Sequence, residues 1–249
     1  MNNEELLEVI RKSFKVYLEV GTSRSTKKLK ILHGSIAKDI QDAFGTGYDI
    51  KSQGIGNDKE AKIAGRYYSK NVDITVIDKK TKKPIAGYAV KFVMRNYSQN
   101  SNNYFENMLG ETANIRANSI PYYQIFIIFD KVPYFKKEGD FKKYDEISGH
   151  NIEKYIKLSN DDPVSNPNIP DKTLFLLVKL KEKSFDYFFA NEDDYNSFYE
   201  SVIYDVDLIQ YSNSIGGSFG PSVIFNDYRG FIDSSVQSVL EKQKNAKNN

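Results

Sequence analysis

The chain has 249 residues, a net charge of +2 at pH 7, two histidines and neither cysteine nor tryptophan. Its length suits one large domain with a buried core. Without cysteine it can form neither disulfides nor thiol-based catalytic or zinc sites, and two histidines disfavour histidine-rich hydrolase centres. We expect a cytoplasmic protein that does not enter the membrane, because no apolar run approaches the roughly eighteen residues that a spanning helix needs.

Two helices are predicted first. Apolar residues at helical spacing from Glu5 to Phe14 indicate one, and a second is predicted from Ser35 to about Phe44, closed by Gly45. His33 directly precedes the second segment. We therefore interpret it as a helix-start residue rather than a ligand.

A basic run from Arg24 to Lys30 separates these helices and includes Lys27 and Lys28. The first 100 residues carry a net charge of +8 and the remainder −6, which favours an anionic ligand near the first part. The run is either a phosphate-contacting segment or a solvated linker.

A β-hairpin is predicted next, from two β-rich runs, Val72–Ile77 and Ile85–Val93, around a polar loop. Pairing about the loop centre brings Asp73 and Lys91 to one end of the ladder, where facing residues lie about 4.5 to 5.5 Å apart. Charges buried beside a sheet core are costly, so the pair indicates a site that cuts phosphodiesters. The plainer alternatives are a turn-proximal aspartate and a solvated edge lysine.

The elements predicted after the hairpin complete the fold. A helix is predicted over 103–116 and an apolar strand over Tyr123–Phe129. Pro133–Pro170 is rich in turn formers and is interpreted as a long insertion. A strand over Thr173–Leu180, a helix near 193–203 and a terminal helix over 231–246 follow.

The triplets Asn71-Val72-Asp73 and Ala89-Val90-Lys91, followed by a helix and an apolar strand, resemble the PD-(D/E)XK nuclease superfamily, and more narrowly its type II restriction endonucleases. The resemblance covers about residues 33–130. It implies one α/β domain over 1–249, with a restriction-endonuclease-like mixed sheet flanked by helices and completed by residues 171–246. The chain departs from the family in having no proline before Asp73 and alanine at position 89, where a second acid is usual.

The resemblance implies a Mg²⁺ site in which Asp73 and the Val90 carbonyl are ligands. Lys91 would orient or activate the attacking water, or hold the scissile phosphate. The second carboxylate stays open: Glu106 and Glu111 lie on opposite flanks of the apolar stripe of their helix, and Glu60 is a third candidate in a loop that enters a strand. Each of the three is otherwise a solvated acid.

The segment after the second strand is dense in side-chain amides, which can pair with adenine in the major groove. We predict DNA contacts there, with a plain polar loop that caps the next helix as the alternative. The residues concerned are Arg95, Asn96, Tyr97, Gln99, Asn100, Asn102 and Asn103.

The sequence thus predicts a Mg²⁺-dependent type II restriction endonuclease that cuts double-stranded DNA at a specific sequence. We expect a homodimer, because protein symmetry then mirrors a symmetric DNA site, and a DNA methyltransferase encoded nearby would favour a restriction system. The alternatives are a catalytically silent DNA-binding protein on the same fold, and a repair nuclease or ribonuclease.

Overall fold

A mixed β-sheet of seven strands forms the centre of the fold, with helices on its flanks. The computed structural model describes residues 1–20, 27–181, 188–213 and 215–248. Their helices are α1 Asn3–Val20, α2 Lys27–Phe44, α3 Tyr97–Arg116, α4 Glu153–Ser159, α5 Glu192–Ser201 and α6 Tyr228–Asn248. The strands are β1 Tyr48–Ser52, β2 Ala61–Ala64, β3 Ser69–Val72, β4 Ile74–Asp78, β5 Pro84–Val93, β6 Tyr122–Phe129, β7 Lys131–Phe135, β8 Phe141–Glu146, β9 Lys172–Leu180, β10 Ile209–Tyr211 and β11 Val223–Phe225. The predicted α/β class with a mixed sheet is confirmed.

The strand order of the sheet is β1-β4-β5-β6-β9-β10, with β11 also paired to β9. Strands β4 and β5 are antiparallel, with Ile74 opposite Tyr88, which confirms the predicted hairpin from Ile74 onward. Val72, predicted in the same strand, instead belongs to β3 and pairs with Ala61 of β2. Strands β5, β6 and β9 run parallel to one another. All eight residues of β6 are buried, as expected for a central parallel strand covered on both faces.

Two predicted helix starts are wrong. Helix α2 begins at Lys27 rather than Ser35, so His33 lies inside the helix, and α3 begins at Tyr97 rather than at residue 103. The first turns of α3 carry Ser, Gln and Asn, whose polar side chains give no apolar periodicity to mark the helix. In α2, by contrast, Leu29 and Leu32 already continue the helical spacing of Ile36. The basic run and the amide-rich segment therefore contribute residues to helices.

The segment Pro133–Pro170 contains more regular structure than its turn formers indicate. Strands β7 and β8 pair as an antiparallel hairpin, and α4 follows them. Pro133 lies within β7, opposite Tyr144, and this strand belongs to a separate two-stranded sheet in which each strand is an edge. Proline is tolerated at a sheet edge, so its presence did not exclude a strand.

Helices α1 and α2 cover part of the central sheet. The buried side chains of α1 recur at helical spacing, and the Phe14 ring packs edge-on against Phe129 of β6, with ring centroids 5.0 Å apart. On α2, the His33 side chain is buried, with the residue 1% exposed. Across the described ranges, none of the helices combines the length and apolar character that crossing a membrane requires.

Candidate metal and phosphodiester site

Asp73 lies at the junction of two sheets. Strand β3 ends at Val72 and pairs with β2 in a small hairpin, whereas β4 begins at Ile74 in the central sheet. The Asp73 carboxylate therefore stands at a bend, and its Oδ2 accepts a hydrogen bond of 2.7 Å from the backbone N–H of Val90. This bond fixes the carboxylate beside the Ala89-Val90-Lys91 stretch of β5.

A cavity of about 750 Å³ opens at this junction. Asp73 and Lys91 both line it, so the two strands bring the predicted pair to one site. The cavity is also lined by the charged or polar side chains of His33, Glu60, Lys70, Glu111 and Tyr122. They come from α2, the loop before β2, β3, α3 and β6.

His33, Glu60 and Asp73 form a cluster suited to a metal ion. One ligand atom from each lies within 4.8 Å of the others. Ligands of one small divalent ion are about 3 to 4 Å apart, given metal–ligand distances near 2.1 Å, so the three need only a small inward shift. His33 is buried and neither ring nitrogen has a hydrogen-bond partner among the described residues. A buried, unpaired imidazole is costly, and a bound cation would satisfy it.

Close backbone packing brings the Glu60 loop to α2. A Cβ on Gly34 would lie 2.7 Å from the backbone oxygen of Gly54, so only glycine permits this approach. In the same loop, the Gln53 side chain donates a hydrogen bond of 2.7 Å to Glu60 Oε1. The glycine next to His33 thus positions the second acid of the cluster.

Burial shifts the protonation equilibria of the cluster. It raises the pKa of Asp73 to about 6, an effect that the Val90 N–H opposes and the nearby Glu111 charge reinforces. It lowers the pKa of His33 to about 4, although the Glu60 charge acts in the opposite direction. The imidazole is therefore neutral at pH 7, the form that ligates metals.

Lys91 enters the cavity from β5. Its Nζ lies 4.2 Å from the centre of the Tyr104 ring, a cation–π contact. Burial lowers the pKa of Lys91, while the charges of Asp73 and Glu111 oppose that shift. The described part of the chain gives Lys91 no ion pair within 4.0 Å, so its charge is available to an anion in the cavity.

Glu111 occupies another wall of the same cavity. Its carboxylate accepts a hydrogen bond of 2.5 Å from Lys70 and one of 3.4 Å from the Tyr122 hydroxyl. Burial opposes the charge of Lys70, but the contact with Glu111 outweighs it and the pKa of Lys70 rises. Glu106 is exposed on α3 and does not line the cavity. Of the three candidate acids, Glu60 lies in the cluster with Asp73, Glu111 faces it, and Glu106 is absent from the site.

Several predicted DNA-contacting residues have partners within the chain. Arg95 pairs with Glu192, Asn96 exchanges hydrogen bonds with the backbone of Phe135, and Tyr97 is buried. Asn100 donates to the Asn96 carbonyl, and Asn102 accepts from Lys154. Gln99 and Asn103 are exposed on α3.

Most side chains of the basic run, in which phosphate contacts are predicted, are not among those that the structure describes. Residues 21–26, including Arg24, are outside the described residues. Lys27 and Lys28 are described only as backbone at the start of α2. Their contacts with DNA stay a prediction.

Sequence reasoning missed three side chains of the site: His33, Lys70 and Tyr122. For His33 a signal existed, because a helix started earlier would have placed it on the buried face of α2. Lys70 and Tyr122 reach the site only through the β2–β3 hairpin and the parallel pairing of β5 with β6. No local pattern marks those contacts.

Comparisons with protein-family models, with curated proteins and with solved structures found no match to this chain. The function of the chain is therefore inferred from the chemistry of its site residues.

Proposed function

We propose that this protein is a metal-dependent nuclease that hydrolyses phosphodiester bonds in DNA. The observation that carries the proposal is that one cavity gathers the cluster His33, Glu60 and Asp73 with the half-buried Lys91. Carboxylates with a neutral imidazole are metal ligands, and a lysine without an ion pair attracts an anion. Together they suit a phosphodiester held beside a cation.

Asp73 and Glu60 would supply oxygen ligands and His33 a nitrogen ligand. Carboxylates suit Mg²⁺, the ion implied by the resemblance, while the imidazole also suits ions such as Mn²⁺ or Co²⁺. When bound, the ion would neutralise charge on the phosphate and lower the pKa of a coordinated water. The Val90 carbonyl stays a predicted ligand; its N–H already orients Asp73.

Lys91 would hold the scissile phosphate as a point charge. In hydrolysis a water oxygen forms a bond to phosphorus, the bond from phosphorus to a sugar oxygen breaks, and negative charge develops on the phosphate oxygens. A desolvated ammonium beside those oxygens stabilises that charge more strongly than one in water. Tyr104 fixes the ammonium through its ring.

The more specific proposal is a type II restriction endonuclease that acts as a homodimer on double-stranded DNA, with a cognate DNA methyltransferase encoded by a neighbouring gene. What supports it is the order of motifs around Asp73 and Lys91 on neighbouring strands. One observation favours a second candidate, a catalytically silent DNA-binding protein: Ala89 leaves β5 without the second acid of the motif.

Long phage DNA incubated with the protein, with and without Mg²⁺ or Mn²⁺, tests the proposal on a gel. We expect metal-dependent fragments from the wild type, a loss of cutting by at least about a hundredfold in Asp73→Asn and Lys91→Ala, and wild-type cutting by the surface variant Lys12→Ala. Discrete fragments would support the restriction enzyme. Cutting by Asp73→Asn at the wild-type rate would show that the site is wrong.

A further inference from the structure

The β2–β3 hairpin presents two aromatic rings to solvent at its tip. Tyr67 is 84% exposed and Tyr68 is 53% exposed. Tyrosine usually buries its ring and leaves only the hydroxyl in water, so two adjacent exposed rings require a reason. Tyr68 also lines the cavity that contains Asp73, which places the tip at the rim of the proposed active site.

The stem of the hairpin is rigidly attached to the fold. Ile63 of β2 and Val72 of β3 are buried in a small apolar cluster with Ile115 of α3 and Tyr122 of β6. The hairpin is therefore fixed to both α3 and the central sheet, and the direction in which its tip projects is set.

The tip itself is held by Asn114, a side chain of α3 that is 2% exposed. Its Oδ1 accepts hydrogen bonds from the N–H groups of Tyr67 at 2.9 Å and Tyr68 at 3.4 Å, and its Nδ2 donates to the Tyr68 carbonyl at 3.0 Å. A Cβ on Gly65 would lie 2.1 Å from Asn114 Nδ2. A buried amide therefore fixes the backbone that presents both rings.

The charges around the rings are positive. Arg66 and Lys62 are exposed, and within the described ranges neither forms an ion pair. A protein partner would satisfy exposed rings equally well, but adjacent rings flanked by unpaired cations match the pattern that binds single-stranded nucleic acid, in which bases stack on aromatic faces and cations follow the phosphates.

We infer that the hairpin tip is a stacking platform for unpaired bases, with Tyr67 and Tyr68 against the bases and Arg66 and Lys62 at the phosphates. The inference rests on the proposed function only in that the strand then leads into the cavity of Asp73. It specifies the form in which DNA meets the rim of the site: a strand that is single, or one that is locally unpaired within the double-stranded substrate proposed above.

Binding without metal tests this inference separately from cleavage. Fluorescence anisotropy in EDTA would follow a labelled oligothymidylate and a labelled duplex of equal length. We expect Tyr67→Ala/Tyr68→Ala to weaken single-strand binding by about tenfold or more and Tyr67→Phe/Tyr68→Phe to retain it. Tyr204→Ala, which removes a tyrosine that is 76% exposed elsewhere, should bind as the wild type.

A direct probe is available because the chain has no tryptophan. Tyr67→Trp places a single indole at the tip, and stacking should quench its fluorescence at the same oligonucleotide concentrations that change the anisotropy. Unchanged binding after removal of both rings, the absence of quenching, or binding to duplex alone would overturn the inference. If binding depends on the two rings but the protein cuts no DNA, the stacking platform is supported and the nuclease is refuted. If the protein cuts DNA but binding does not depend on the rings, the nuclease is supported and the platform is refuted.

Discussion

A ring nitrogen of His33 on α2 lies within 4.8 Å of a carboxylate oxygen of Asp73, forty positions further along the chain. The imidazole is buried and unpaired among the described residues. We infer that the imidazole is a ligand of a cation that Asp73 and Glu60 also bind.

Replacement of His33 should therefore weaken metal binding. His33→Ala removes the nitrogen ligand, and we expect the affinity for Mn²⁺ or Co²⁺ to fall by at least about tenfold, with a smaller loss for Mg²⁺, which prefers oxygen. Titration calorimetry would measure it. The chain's other histidine provides the control: His150 is exposed, and His150→Ala should bind as the wild type. Equal affinities in the two variants would remove His33 from the ligand set.

Asp73→Asn should stabilise the metal-free protein at neutral pH. The carboxyl has a pKa of 3.8 when unperturbed and about 6 when folded, so between these values the folded state retains a proton that the unfolded state loses. Stability from this group is thus lost as the pH rises through that window. The variant should gain about 3 kcal/mol at pH 7 and little at pH 4, measured by urea unfolding in EDTA. A variant no more stable at pH 7 would contradict the shift.

Substitutions of the three candidate glutamates should differ in their effect on the cleavage rate. Glu60→Gln removes a ligand from the cluster, and Glu111→Gln leaves Lys70 unpaired at the cavity wall, so both should cut at least about tenfold more slowly. Glu106 is exposed outside the cavity, and Glu106→Gln serves as the control with wild-type cutting. A defect in Glu106→Gln with none in Glu60→Gln would reverse the assignment.

Two glycine substitutions should have opposite effects on stability. A methyl group on Gly34 meets the backbone oxygen of Gly54 at 2.7 Å, so Gly34→Ala should destabilise by about 1 to 3 kcal/mol and weaken metal binding. Gly110 lies in α3 with no atom within 4 Å of an added Cβ, and Gly110→Ala should stabilise by about 0.5 to 1 kcal/mol. Thermal unfolding and metal titration would check both. Unaltered metal binding in Gly34→Ala would show that the close approach does not position Glu60.

Strands β4, β5, β6 and β9 of the central sheet could be predicted because most of their residues are suited to a buried position. The runs that form β6 and β9 are apolar along most of their length, and the β4–β5 hairpin has a polar loop between two β-rich segments. Their pairing brings Asp73 and Lys91 to one site. Each of these features follows from local pattern and short-range connection.

The remainder of the site depends on contacts between distant segments. Periodicity placed Glu106 and Glu111 on equivalent flanks of one helix, and only the strands that carry Lys70 and Tyr122 decide which flank faces the cavity. The assignment of His33 to a helix start is wrong because it gives weight to the lysines of the basic run and not to Leu29 and Leu32, which mark the earlier start of α2. Metal ligands drawn from a helix, a loop and a sheet junction leave no fixed spacing in the sequence.

Glu60 and Asp73 bracket the β2–β3 hairpin, one immediately before β2 and the other immediately after β3. Because the hairpin is packed against α3 and the central sheet, it holds the two carboxylates at its base, opposite His33, which belongs to a separate element. A strand bound at the tip and an ion bound at the cluster would therefore contact the same packed unit. Any gain in ion affinity that the strand produces must be matched by an equal gain in strand affinity that the ion produces, because such coupling is reciprocal.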